Sequence, residues 1–191
     1  MSVLLGNIVL SVECDEPSGK ITRHIRPLRM TQENLYILYN KFKQFKTIIG
    51  KEFSGDFKQF CTLFLTQNKD GSIDSNGIFW IIDDFVGIFY ITDIEPGIDC
   101  RVHYSFFDRR HKGRVNLINQ MTTYIFNTFG FQRITAKIPL YAKPSVLHFT
   151  EARLGYTKEG RMRQAERFDG KWFDVNIYGL LREEHLNASK A

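Results

Sequence analysis

The sequence predicts a single mixed α/β domain, and three observations carry that prediction. Apolar residues recur at helical spacing in two stretches between residues 31 and 64. From residue 77 the texture changes to three consecutive runs rich in β-branched and aromatic residues. Beyond residue 114, helical and strand patterns alternate and end on a hairpin pattern. A chain of 191 residues is long enough for one domain with one sizeable core.

The elements follow in order. Residues 3–10 are apolar but broken by Gly6 and Asn7, with no preceding positive charge, and are far shorter than the roughly 20 residues of a membrane helix. They predict an N-terminal arm or extra strand over residues 1–20, with residues 15–20 flexible. A short strand over residues 23–30 leads to Thr31, a good N-cap, and to a helix carrying Leu35, Leu38, Tyr39, Phe42 and Phe45. A second helix is expected from Ser54 as cap, with Phe57, Phe60, Cys61 and Phe64 on one face.

Residues 78–82, 85–94 and 100–107 read as an antiparallel meander with turns at Asp83-Asp84 and Pro96-Gly97. The stripe Ile118, Met121, Ile125, Phe129 predicts a helix that stops at Gly130. A strand over residues 133–140 follows. Pro144 opens a helix that closes at Gly155, and residues 156–164 and 171–181 form a hairpin around Asp169-Gly170. The order is β-α-α-β-β-β-α-β-α-β-β. The core domain spans residues 21–184, with a flexible tail over 185–191.

Apolar residues make up 43% and charged residues 25%, which excludes a disordered chain. The net charge of +5 favours an anionic partner such as a polyphosphate or nucleic acid. Cys14, Cys61 and Cys100 form no C-x-x-C pair, so neither a disulfide framework nor a metal site is expected, and a reducing, cytoplasmic location fits.

The most informative chemistry lies between the strand ending near Phe107 and the helix after Gly113. The first N–H groups of a helix lack intrahelical partners and carry partial positive charge, so a loop ahead of them makes an anion site. Gly113 permits close backbone approach, and Arg109, Arg110, Lys112 and Arg114 add attraction. A basic turn with one glycine also describes a solvated loop.

Arg110-x-x-Gly113 resembles the first half of the R/Q-x-x-G-x-G/A loop of the GNAT acetyltransferase superfamily, with Val115 where that family prefers Gly or Ala. Leu154-Gly155-Tyr156-x-x-Glu159-Gly160-x-x-Arg163 and Gly170-x-Trp172-x-Asp174-Val175-x-x-Tyr178-x-Leu180-Leu181-x-x-Glu184 resemble the ending of its ribosomal-protein N-acetyltransferase branch, over a span of about residues 21–184. Core packing is the simpler role for Trp172, Tyr156 and Tyr178 taken singly.

The resemblance implies a central mixed sheet of six to seven strands, splayed between the fourth and fifth and flanked by about four helices. It implies acetyl-CoA as acyl donor. Tyr104, Ser105 and Phe106 would hold the pantetheine arm and an oxyanion, and Arg110, His111, Lys112, Gly113, Arg114 and Val115 the diphosphate. The acceptor is a primary amine, a protein N-terminal α-amine first and a small amine next, attacking the thioester directly. Glu95 and His103 are the candidate bases; Ser145 and Tyr141 are the candidate acids, the Ser retained from the family's N-x-x-S motif without its Asn. No metal and no membrane association are expected, and the chain would be a monomer or homodimer. Two alternatives stay open: a GNAT-fold binding protein without transfer activity, and a GNAT-fold enzyme acting on nucleic acid.

Overall fold

The computed structural model describes residues 10–16, 19–44, 55–108 and 113–188. Strands β1 (Leu10–Glu16) and β2 (Gly19–Pro27) form an antiparallel hairpin, so most of the segment expected to be flexible over 15–20 is paired strand, with Asp15 opposite Lys20 and Glu16 opposite Gly19. Helix α1 (Gln32–Lys43) starts where expected, with the Thr31 side chain accepting from Asn34 N, and buries Leu35, Leu38, Tyr39 and Phe42. Phe45 and Ser54 lie outside the described residues. Helix α2 (Phe57–Cys61) is capped by Asp56, whose carboxylate accepts from Lys58 N and Gln59 N. Asp56 thus takes the N-cap role expected of Ser54, and a turn ends the helix before Phe64.

Two three-residue strands, β3 (Leu65–Gln67) and β4 (Ile73–Ser75), form a separate small hairpin. The meander follows as expected: β5 (Gly77–Ile82), β6 (Gly87–Glu95) and β7 (Asp99–Phe106), antiparallel throughout. Asp83 in the first turn has φ +47, a conformation Asp tolerates, and its carboxylate accepts from His24 N at 2.7 Å and Arg23 Nη1 at 2.8 Å. The turn therefore also ties β2 to the meander.

Helix α3 (Arg114–Phe129) ends on Gly130 at φ +69 and buries Leu117, Ile118, Met121, Thr122, Ile125 and Phe126. Strand β8 (Arg133–Pro139), helix α4 (Pro144–His148), a π-helical turn over Phe149–Arg153, β9 (Thr157–Phe168) and β10 (Lys171–Leu181) complete the sheet. Residues 182–188 form a further helix, α5 (Arg182–Ala188), where a flexible tail was expected from 185. His185 is buried there, its Nε2 2.8 Å from Thr123 Oγ1 on α3.

The strand order is β1-β2-β5-β6-β7-β8-β10-β9, eight strands with β7 and β8 the parallel neighbours. The sheet divides two cores. One packs α3, Leu154 and Tyr156 against Cys100, Val102, Ile134 and Ala136; the other packs α1 and α2 against Phe79, Ile81, Ile88 and Phe107. Among the described residues no helix is long and apolar enough to cross a membrane.

Candidate active site

Strands β7 and β8 correspond to the fourth and fifth strands of the expected core, and their pairing is minimal. Arg101 opposite Thr135 is the one register pair between them among the described residues. Beyond Arg101 the two strands part, and among the described residues the register of β7 continues on the β6 side. Buried strand backbone demands hydrogen-bond partners, and a splayed parallel pair leaves a slot for an extended ligand to supply them. Alternation along β7 sends Arg101 and His103 to the α1–α2 side, while Cys100, Val102, Tyr104 and Phe106 face the α3 core.

Tyr104 is half-buried, packs 6.1 Å from the Phe89 ring and has its hydroxyl pushed up to about 12 by burial, within reach of Thr150. Ser105 is buried. Phe106 lies under the Arg114 guanidinium at 5.3 Å, and Arg114 Nη2 donates to Asp108 O at 2.9 Å. Arg114 thus braces the loop, and burial lowers its affinity for the proton. Arg110, His111 and Lys112 lie outside the described residues.

Gly113 caps α3, and its lack of a side chain has a structural reason. A Cβ there would stand 2.3 Å from Cys14 Cβ on β1. Asn116 donates to Glu13 O on the same strand. Gly113, Val115, Asn116 and Asn119 line a cavity of about 390 Å³ together with Asp15, an acidic neighbour for the predicted anion site.

A larger cavity, about 490 Å³, opens on the opposite side of β7. Phe42, Phe60, Leu63 and Phe64 come from α1 and the α2 region; Met162, Ala165, Glu166 and Val175 come from the β9–β10 hairpin. Tyr90, Thr92, Asp93, Arg101, His103 and Lys137 supply its polar wall. His103 stacks on Tyr90 at 4.4 Å, and its Nε2 lies 2.9 Å from Thr92 Oγ1. After Thr92 the β6–β7 register is irregular, and Asp93 has φ +47, which turns its carboxylate to Arg101 at 2.5 Å.

Of the four candidate acid–base residues, His103 alone lines this cavity. Glu95 is exposed at the β6–β7 turn opposite Asp99. Ser145 is exposed in the first turn of α4. Tyr141 is stacked on Phe168 at 4.4 Å and meets Phe173 edge-on, and its hydroxyl donates to Glu166 Oε1 at 2.7 Å. Burial and that carboxylate push the Tyr141 hydroxyl far up, so the proton stays on the phenolic oxygen, which donates to Glu166. Glu166 and Lys137 escaped the sequence reading because each sits in a charged strand segment with no motif around it. Among the described residues no cluster of His, Cys, Asp and Glu could hold a metal ion.

No family model matches the sequence, and no curated protein matches it. Solved structures do. A chimera of the spermidine N-acetyltransferase SpeG from Vibrio cholerae and hSSAT gives a TM-score of 0.66 at 19% identity, over 86% of this chain and 98% of that one. A further SpeG variant from Vibrio cholerae gives 0.65 at 20% identity, over 86% and 98%. RimJ from Mycobacterium smegmatis, in complex with CoA-disulfide, gives 0.66 at 17% identity, over 95% of this chain and 94% of that one. With the strand order and the parted β7–β8 pair, these likenesses give the chain the GNAT acetyltransferase fold.

Proposed function

We propose that the protein is an N-acetyltransferase that moves an acetyl group from acetyl-CoA to a primary amine, the N-terminal α-amine of a protein or peptide first and a small amine next. The observation that carries this reading is the slot beyond Arg101–Thr135, with a cavity lined by His103 on its far side. The parting of β7 from β8 beyond Arg101 suits an extended pantetheine arm, and the amides at the start of α3 suit a diphosphate. The basic residues Arg110 and Lys112 favour the same ligand. The fold neighbours add support: the SpeG structures are named spermidine N-acetyltransferases, and the RimJ structure holds a CoA-disulfide.

Bound acetyl-CoA supplies an activated thioester. His103 takes the proton the attacking amine sheds, and its contact with Thr92 Oγ1 holds the imidazole in place. As the C–N bond forms, the C–S bond breaks and the thiolate leaves with a proton. Most of the rate advantage comes from holding amine and thioester together.

A second reading, a GNAT-fold binding protein without transfer, draws on Gly113: Cys14 packs against the face where its Cβ would stand, and Asp15 lines the cavity beside it. Thermal melting with saturating acetyl-CoA, followed by thiol release with a panel of amines, separates the two. A rise in melting temperature with thiol release supports transfer; a rise without release supports binding alone; no rise removes both.

A further inference from the structure

The larger cavity takes one residue from each bank of the parted strands. His103 lies two residues beyond Arg101 on β7, and Lys137 lies two residues beyond Thr135 on β8. Cys100, Val102, Ile134 and Ala136 occupy the intervening positions and face the α3 core, so alternation turns His103 and Lys137 to the opposite face, where both line the cavity. They are the first cavity-facing pair past the last register contact. The charges around them are distributed unequally. Asp93 and Arg101 pair at 2.5 Å, and Glu166 accepts the Tyr141 hydroxyl at 2.7 Å. Lys137 is exposed, and among the described residues no hydrogen bond or ion pair holds its ammonium.

From this arrangement we propose that Lys137 binds an anionic group of the acceptor, and that the acceptor is an amine carrying a carboxylate a few bonds from its nitrogen. The proposal rests on the transfer reading and narrows the acceptor class of that same site. With His103 taking the amine's proton on one bank, a carboxylate held by Lys137 on the other orients the nitrogen across the gap between the strands. Such a contact is charge-assisted, about twice as strong as a neutral hydrogen bond. A monoanion suits the site better than a phosphate dianion: one lysine supplies a single positive charge, while Asp93 and Glu166 on the same wall disfavour further negative charge. Lys137 is thereby a specificity-determining residue.

Two sources present this chemistry: a free amino acid, and a peptide whose first residue is Asp or Glu. Each is tested beside a twin without the negative charge, L-phenylalanine with phenethylamine and a tetrapeptide amide beginning with Glu with one beginning with Gln. All four are titrated calorimetrically into the full chain, coenzyme-free and saturated with coenzyme A, and steady-state KM and kcat are measured with acetyl-CoA. In at least one pair the anionic member should bind about tenfold more tightly and show a KM lower by the same factor, with kcat within about threefold. Lys137→Met should bring the two members of that pair to within about twofold, and Lys137→Arg should keep most of the preference. Because Lys137 is exposed, neither variant should move the melting temperature of the coenzyme-free chain by more than about 2 °C.

Preference in the phenylalanine pair assigns a free amino acid, and preference in the peptide pair an acidic N-terminal residue; both support the shared class. Equal binding within both pairs, a preference that survives Lys137→Met, or no binding of any probe overturns the proposal. Coenzyme-induced melting shifts report separately. If wild type shows none while Lys137→Met abolishes the preference, transfer fails and the carboxylate contact stands; a shift without any preference leaves transfer in place and removes the contact.

Discussion

Arg101 of β7 and Thr135 of β8 are register partners, and among the described residues no other pair joins the two strands. Parallel neighbours in the middle of a sheet ordinarily continue their ladder, so the parting leaves room between them for an extended ligand. Saturating coenzyme A should therefore raise the melting temperature. At a hundredfold excess over Kd, a ligand binding only the folded chain adds about 2.7 kcal/mol, which is worth roughly 5–10 °C in a chain of this size. Differential scanning fluorimetry is the check, and an unchanged melting curve would sink the proposed function.

Gly113 stands against Cys14, and the contact sets a second expectation. A methyl group at 113 meets Cys14 Cβ at 2.3 Å, so Gly113→Ala should cost about 1–3 kcal/mol through overpacking. The cost should shrink in a Cys14→Gly background and persist in Cys14→Ala, which keeps the offending carbon. Denaturant titration of the double-mutant cycle measures this coupling. Additive effects would place the glycine's requirement elsewhere.

Phe60 is fully buried and packs ring to ring with Tyr39 at 5.7 Å, Phe42 at 5.8 Å and Phe64 at 5.0 Å. Phe60→Ala should lose about 3–5 kcal/mol, and Phe60→Leu far less. Because Phe60 also lines the larger cavity, Phe60→Leu should alter amine affinity while leaving coenzyme affinity unchanged.

Among the described residues the Tyr156 hydroxyl, buried in the core beneath β7 near Tyr104, Cys100 and Asp99, has no hydrogen-bond partner. An unmatched buried hydroxyl carries a desolvation penalty of about 1–3 kcal/mol. Tyr156→Phe should therefore be neutral or stabilising by up to that amount in chemical denaturation. A clear loss of stability would mean that a bound water completes the site.

His185 sets a pH dependence. Burial holds its imidazole below the ordinary value of 6.5, partly opposed by the Asn119 backbone. Protons then bind the unfolded chain first, so stability from the neutral ring is whole above the unfolded value and is lost as pH falls through 6.5 toward the folded one. Wild type should weaken between about pH 7 and pH 5, and His185→Gln should show a flatter profile by urea unfolding at each pH. Parallel profiles would dismiss the assignment.

Local chemistry made several elements legible. The β5–β7 meander follows from runs of β-branched and aromatic residues broken at Asp83-Asp84 and Pro96-Gly97, and α3 follows from its stripe and Gly130. At α2 the spacing of Phe57, Phe60 and Phe64 suggested a longer helix, because burial in a shared aromatic cluster satisfies these rings whether or not the backbone between them stays helical. The site divided in the same way. Strand alternation carries His103 to the cavity, whereas Glu95 is the exposed last residue of β6 and Ser145 lies in an exposed first helical turn.

The sequence by itself determined the two early helices, the meander, α3, the strand after it and the closing hairpin in their order, since periodicity and turn residues act within a few positions of each other, and it missed the β3–β4 hairpin and α5. The tertiary structure alone decided that β7 and β8 part after Arg101, that Cys14 occupies the space beside Gly113, and that Glu166 meets Tyr141 at the cavity wall. Each of these joins residues from separate elements. Such contacts are fixed by how the elements pack, which no local pattern records.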